Sequence, residues 1–233
     1  MNTLLSIDWD YFIKTDDSWI YSLIENNKNI VMMWYKRYFE AKRCGKNLEE
    51  NFKLDKGLIN SFYDLLNNIF HIKDNAKMYI SDSHKLSYYI TQRFKCTDVY
   101  SFDAHTDLGY GGLAALDFGV NCANWLGKLL KDRLIKKAHI ILSPLSHESK
   151  DQFSEINSEF NVQYDSMDKL FNMPEISLIH IARSGTWTPP WLDDEFFKFI
   201  NSFNRPYKIC NYTHRKWTPN DLTLADIIYN LVS

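Results

Sequence analysis

The sequence predicts a three-layer α/β/α fold on a mainly parallel sheet, and three observations predict it. From residue 77 onward, short β-branched and aromatic runs alternate with segments of helical period, which argues a parallel sheet covered on both faces. At 233 residues, 45% hydrophobic and 15% aromatic, the chain is long enough to bury one sizeable core. Several of the apolar runs end in carboxylates or imidazoles, as expected of sheets that bind ligands at the carboxyl ends of their strands.

In chain order, residues 4–7 form a buried strand that ends in Asp8 and Asp10, one pleat apart. A carboxylate at an apolar strand end costs several kcal/mol unless it is paired or bound to a cation. Residues 16–75 read as helical. Val31, Trp34, Tyr35, Tyr38 and Phe39 make one apolar stripe over 30–42, and Leu58, Phe62, Leu65, Leu66 and Ile69 make another over 54–72, with His71 on that helix surface. The charged stretch 42–53 reads as a loop. We therefore expect one domain spanning 1–233 with a helical insertion at about 16–75.

Residues 77–80 are a third strand, running into Ser81-Asp82-Ser83-His84 and then a helix from Leu86. The strand 99–102 empties into Asp103, His105 and Asp107, whose spacing of two puts all three on one face of an extended chain. Four of the eight glycines (Gly109, Gly111, Gly112 and Gly119) then crowd into 108–119, a loop passing close to a site. A helix over 121–134 follows. Strands are expected at 138–142, 162–164, 176–182 and 207–210. Helices are expected at 192–203, after the rigid turn Trp187-Thr188-Pro189-Pro190-Trp191, and at 222–232.

A net charge of −2 with interspersed signs builds no field for nucleic acid or anionic membrane. The amino-terminal stretch lacks the features of a signal peptide, and no apolar run approaches a membrane span. The four cysteines have no CxxC spacing, so a reducing cytoplasm is the expected compartment.

Asp8, Asp10, His84, Asp103, His105 and Asp107 all fall at expected strand ends. Four carboxylates and two imidazoles exceed the three or so protein ligands of a catalytic zinc. The set suits two ions, and its oxygen-rich character favours Mn²⁺. Glu148, Asp193, Asp194 and Glu195 are candidate acceptors for a cationic substrate, although the last three also complement a helix dipole. Arg183 is a candidate for a substrate carboxylate or for fixing a metal-ligating aspartate.

Ser101-Phe-Asp-Ala-His-Thr-Asp107 resembles the DAHxD signature of the arginase and agmatinase (ureohydrolase) superfamily. Ser81-Asp-Ser-His84 resembles its Gly-Gly-Asp-His segment, and Ser6-Ile-Asp-Trp-Asp10 its Ser-x-Asp-x-Asp segment. The resemblance implies an arginase/deacetylase-like fold and two Mn²⁺. One would be held by His84, Asp103, Asp107 and Asp8, the other by Asp103, His105, Asp8 and Asp10, with Asp8 and Asp103 bridging. In ordinary members the Asp-x-Asp segment follows DAHxD, whereas here it precedes it, as in a permuted variant. That order, with Ile181-Ala-Arg-Ser184 and the Trp-Thr-Pro-Pro-Trp turn, is closer to the peptide arginases of ribosomally made peptide natural products. Those enzymes convert arginine within a precursor peptide to ornithine and urea.

The proton-shuttle histidine of free-arginine enzymes has no counterpart between His105 and His139. Asn121 and Asn124 stand in its zone as candidate substrate contacts, and His147 is a candidate replacement shuttle. Other classes weighed are a small-molecule ureohydrolase, a single-zinc deacetylase-like amidohydrolase and a non-catalytic metal-binding protein. A haloacid-dehalogenase-type phosphatase also opens on a strand and Asp-x-Asp, but leaves His84 and the DAHTD stretch unused.

Overall fold

The computed structural model describes residues 2–15, 19, 25, 29–170 and 174–232, with side chains as far as residue 230. Its strands are β1 (Asn2–Asp8), β2 (Ile13–Lys14), β3 (Lys53–Leu54), β4 (Ile72–Ser81), β5 (Cys96–Asp103), β6 (Lys137–Leu142), β7 (Val162–Asp165), β8 (Ile176–Ala182) and β9 (Tyr207–Ile209). The helices are α1 (Ile30–Arg43), α2 (Leu48–Asn51), α3 (Lys56–Asn68), α4 (Leu86–Phe94), α5 (Trp125–Lys131), α6 (Ser154–Glu159), α7 (Asp193–Ser202) and α8 (Leu224–Val232). Seven strands form one all-parallel sheet in the order β7-β6-β5-β1-β8-β4-β9, so the fold is three-layer α/β/α.

The period of two sorts each strand between two cores. Leu5 and Ile7 of β1 join Phe102 of β5 and Ile179 and Ile181 of β8 on one face. There they pack against Phe62 of α3 and Phe196, Phe199 and Ile200 of α7. Phe62 meets Phe12, Phe102 and Phe199 at centroid distances of 5.2–5.4 Å, and such pairs are each worth about 0.5–1.5 kcal/mol beyond burial. On the opposite face Leu4, Val99, Ile140 and Leu178 pack against Trp125, Leu126, Leu129 and Leu130 of α5 and Ile90 of α4. Trp34, Ile30, Leu48 and Phe52 form a third cluster under α1 and α2.

From β5 the chain winds outward to β6 and β7, then returns to β8 on the other side of β1. The helix after β5 and the helix after β8 cover opposite faces, which opens a crevice above the carboxyl end of β1.

Local contacts move several expected boundaries. The strand expected at 77–80 starts at Ile72, with a register shift between Ile72 and Lys77. α3 stops at Asn68, so His71 lies off the helix, where its carbonyl accepts from Ile176 N at 2.7 Å. The stretch expected as a loop over 42–53 contains α2 and reaches β3, which pairs antiparallel with β2. The helix expected from 121 starts at Trp125. Asn121 and Asn124 turn their side-chain oxygens to the backbone N–H of Ala123 and Asn121, both at 2.9 Å, which competes with helical hydrogen bonding. Most of the helical reading of 16–29 lies outside the described residues. No described helix is long and apolar enough to cross a membrane.

Candidate metal centre

β1 and β5 are neighbours, with Ile7 opposite Phe102, so Asp8 and Asp103 end adjacent strands side by side. Asp8 and Asp103 share a strand face with Ser6 and Ser101, beyond Leu4 and Val99 and away from Leu5, Ile7 and Phe102. Asp10 follows on a 3-10 turn, and His84 follows β4, two strands away across β8. The six residues named from the sequence converge there. His84 Nδ1 lies 2.9 Å from Asp103 Oδ2, 3.0 Å from Asp107 Oδ2 and 3.4 Å from Asp8 Oδ2. His105 Nδ1 lies 3.1 Å from Asp10 Oδ2 and 3.6 Å from Asp103 Oδ1. Two triads of mutually close ligand atoms result, Asp8–His84–Asp103 and Asp10–Asp103–His105, and they share Asp103.

Every carboxylate of the cluster is buried. Burial, then the charges of Asp10 and Asp103, hold Asp8 well above the usual carboxylate range against the pull of His84 and Ser184. Burial and the charge of Asp103 push Asp107 up to about 6. Burial alone would lower His84 and His105. The hydrogen bonds and charges of the facing carboxylates outweigh it, and both imidazoles are raised well above their ordinary value. The donor set is therefore a pocket of anions asking for positive charge, and oxygen and imidazole ligands of this kind fit hard divalent cations.

Neighbours hold the ligands in place. Ser184 donates its hydroxyl to Asp8 Oδ2, and the Trp125 indole N–H donates to Asp107 Oδ2 at 2.5 Å. Asp107 and Ser184 both sit at left-handed backbone angles, φ 50° and 48°, a costly conformation that concentrates at functional sites. The Asp107 carbonyl accepts from Leu126 N and Gly127 N in the first turn of α5 at 3.1 and 3.3 Å.

A cavity of about 60 Å³ opens on the cluster, lined by Asp8, Asp10, His105, Asp107, Tyr110 and Trp187 among others. Tyr110, half exposed, also walls two larger cavities. One, of about 270 Å³, runs along the glycine-rich loop to Asn121 and Asn124. The other, of about 310 Å³, is lined by Asp10, His105, His147, Glu148 and Trp187. Tyr110 donates to Glu148 Oε1, and Thr106 N donates to Glu148 Oε2 at 2.8 Å. Burial raises the Glu148 carboxyl.

The remaining residues named from the sequence fall into two groups. Glu148 and His147 border the centre. Asn121 lines the loop cavity, and Asn124 spends its amide N–H groups on the carbonyls of Ala115 and Gly119, both at 3.2 Å. Arg183 and Asp193 do not face the centre. Arg183 is fully buried and pairs with Asp82 at 2.5 Å and Asp193 at 2.9 Å, neither of which belongs to the ligand triads. Asp193 also pairs with the buried Arg215, so its oxygens are already held by two guanidinium groups. Asp194 lies with Tyr212 and His214 on a separate cavity, and Glu195 pairs with Lys198 at 2.6 Å.

Sequence reasoning gave no site role to Trp125, Tyr110 or Glu25, and quoted Ser184 within a segment without assigning it one. Glu25 accepts from Ser83 Oγ at 2.8 Å, and burial raises its carboxyl within electrostatic reach of Asp107 and His84. Single polar or aromatic residues outside a spaced motif carry no local signal. No family model, curated protein or solved structure matches the chain.

Proposed function

We propose that the chain is a dinuclear manganese hydrolase that converts arginine residues of a peptide to ornithine, with water consumed and urea released. The observation that carries the reading is the pair of triads that share the buried Asp103 at the carboxyl end of a parallel sheet. Asp8, His84, Asp103 and Asp107 would hold one ion, and Asp8, Asp10, Asp103 and His105 the other. Two such ions supply Lewis acidity and a nucleophile drawn from water near neutral pH.

The chain's own residues take the remaining roles. Glu148 accepts the guanidinium, because of the four carboxylates named as acceptors for a cationic substrate (Glu148, Asp193, Asp194 and Glu195) it is the one that lines the cavity with His105. Thr106 N and Tyr110 orient it. His147, on the same cavity, carries the proton to the leaving amine. Cavities on both sides of Tyr110 leave room for chain before and after the target residue, which supports a peptide over a free amino acid.

The test incubates Mn²⁺-loaded protein with free arginine, agmatine and arginine-containing peptides, followed by mass spectrometry and a urea assay. A peptide mass loss of about 42 Da per site with matching urea is expected, at a kcat/KM well above that for free arginine. Equal kcat/KM for free arginine and every peptide would remove the peptide reading and leave a small-molecule ureohydrolase. One bound zinc with acetate release from acetylated peptides would favour the deacetylase class.

A further inference from the structure

We infer that a buried chain of hydroxyls and imidazoles behind the centre holds His84 as the Nε2–H tautomer, with Ser6, Ser87, His180 and Ser81 as positioning residues. The direction of the chain is fixed at its far end. Ser81 Oγ lies 2.8 Å from the Ser83 carbonyl, which can only accept, so the Ser81 hydroxyl proton is committed there. Ser81 Oγ must then accept from His180 Nε2, 2.9 Å away.

His180 is fully buried, and among the described residues it touches no carboxylate, so it carries one proton and that proton is on Nε2. Burial and the nearby His84 charge lower its basicity in the same sense. Its Nδ1 therefore accepts, at 2.6 Å, from Ser87 Oγ. Ser87 Oγ accepts from Ser6 Oγ, also at 2.6 Å, and Ser6 Oγ accepts from His84 Nε2 at 2.7 Å. Each group has one proton to give, so the order at one end dictates the order at the other. The opposite direction would need a charged, unpaired imidazolium at His180.

The consequence lies at His84 Nδ1. With the other nitrogen protonated, Nδ1 turns a lone pair toward Asp8, Asp103 and Asp107. A lone pair facing three carboxylates is repulsive until a cation, a proton or a metal ion, stands between them. This part rests on the metal reading, and the direction of the hydrogen-bond chain does not. The register of the sheet builds the chain: Ser6 and His180 are direct partners on β1 and β8, and Ser87 on α4 lies over both.

The test is ¹⁵N-histidine NMR on metal-free protein, with His180 identified among seven histidines by its loss in His180→Gln. His180 is expected to show an unprotonated Nδ1 and a protonated Nε2. A protonated Nδ1 would overturn the chain whatever metal binds. In a second arm, Zn²⁺ is titrated into wild type, Ser87→Ala and Ser87→Thr. Loss of the hydroxyl should weaken Zn²⁺ binding about tenfold, and threonine should recover it. Zn²⁺ affinity unchanged in Ser87→Ala would remove the positioning role. Wild-type protein that binds neither Zn²⁺ nor Mn²⁺ would end the metal reading, and the His180 tautomer would still decide the direction.

Discussion

Asp103 reaches His84 through one carboxylate oxygen, at 2.9 Å, and His105 through the other, at 3.6 Å, so both triads depend on it. On the proposed dinuclear reading, Asp103→Ala should take the metal content from about two ions toward one or none and abolish turnover. A variant that kept both ions by elemental analysis would refute the shared-ligand assignment. The same cluster predicts a pH dependence. Without a cation, Asp8 and Asp107 keep protons in the folded state that they release on unfolding, since their folded pKa values lie above the ordinary value of about 4. The raised imidazoles act in the same sense. Folded protein then binds more protons than unfolded protein, and the stability these groups contribute falls as pH rises through about 4–6 and on past the imidazole range. A divalent ion replaces those protons. The gain in Tm on adding Mn²⁺ should therefore grow between about pH 5.5 and 7.5, and a flat or shrinking gain in differential scanning fluorimetry would contradict it.

α5 and the loop before it act as one element, because the helix starts on the Asp107 carbonyl and its Trp125 indole holds the Asp107 side chain. Gly127 lets them meet. A Cβ at this position would lie 2.2 Å from the Leu108 carbonyl oxygen and 2.7 Å from the Leu116 side chain. In an open helix, alanine would be favoured over glycine by about 1 kcal/mol. Here the contact is with backbone, and overpacking of this kind costs about 1–3 kcal/mol. Gly127→Ala should thus lower Tm and, by shifting Asp107, weaken metal binding. Thermal unfolding at or above the wild-type Tm would mean that the helix does not bear on the loop.

Across the whole molecule, Asp193 at the start of α7 joins Arg183 at the end of β8 to Arg215 in the carboxyl-terminal segment. Arg183 also holds Asp82 and the Thr213 carbonyl, and its guanidinium stacks 4.0 Å from the Tyr212 ring centre. Asp82 in turn accepts from Thr213 N at 2.6 Å. The network ties the ends of β4 and β8, the helix and the tail together on the outer side of the centre. Asp193→Ala leaves two fully buried guanidinium groups without their common carboxylate, a loss of about 3–5 kcal/mol for a buried ion pair. Urea denaturation should show that loss with metal stoichiometry kept. A change below about 1 kcal/mol would place Asp193 among solvent-screened pairs instead.

Five of the six centre-forming residues and the parallel sheet were legible from local spacing, and His84 from its place at a strand-to-helix junction beside two other strand ends that offer carboxylates. Asp8 and Asp10, or Asp103, His105 and Asp107, stand two apart after apolar runs, and the alternation of period 2 with period 3.6 names the layers. What only the folded chain decided lies between residues far apart in sequence. Ser184 reaches Asp8 across 176 positions, and Ser6 reaches His84 across 78. By position after a strand and at the start of a helix, Arg183 was a candidate for a substrate carboxylate or for fixing a metal-ligating aspartate, and Asp193 and Asp194 for a cationic substrate or the helix dipole. Tertiary packing instead joined Arg183 and Asp193 to each other and set Asp194 on a separate cavity. The helix expected at 121 gave way to side-chain turns at Asn121 and Asn124, which compete on nearly equal terms with the first helical hydrogen bonds. Spacing determines which face a residue shares with its neighbours in sequence. Which partner satisfies a buried charge depends on what the sheet order brings beside it.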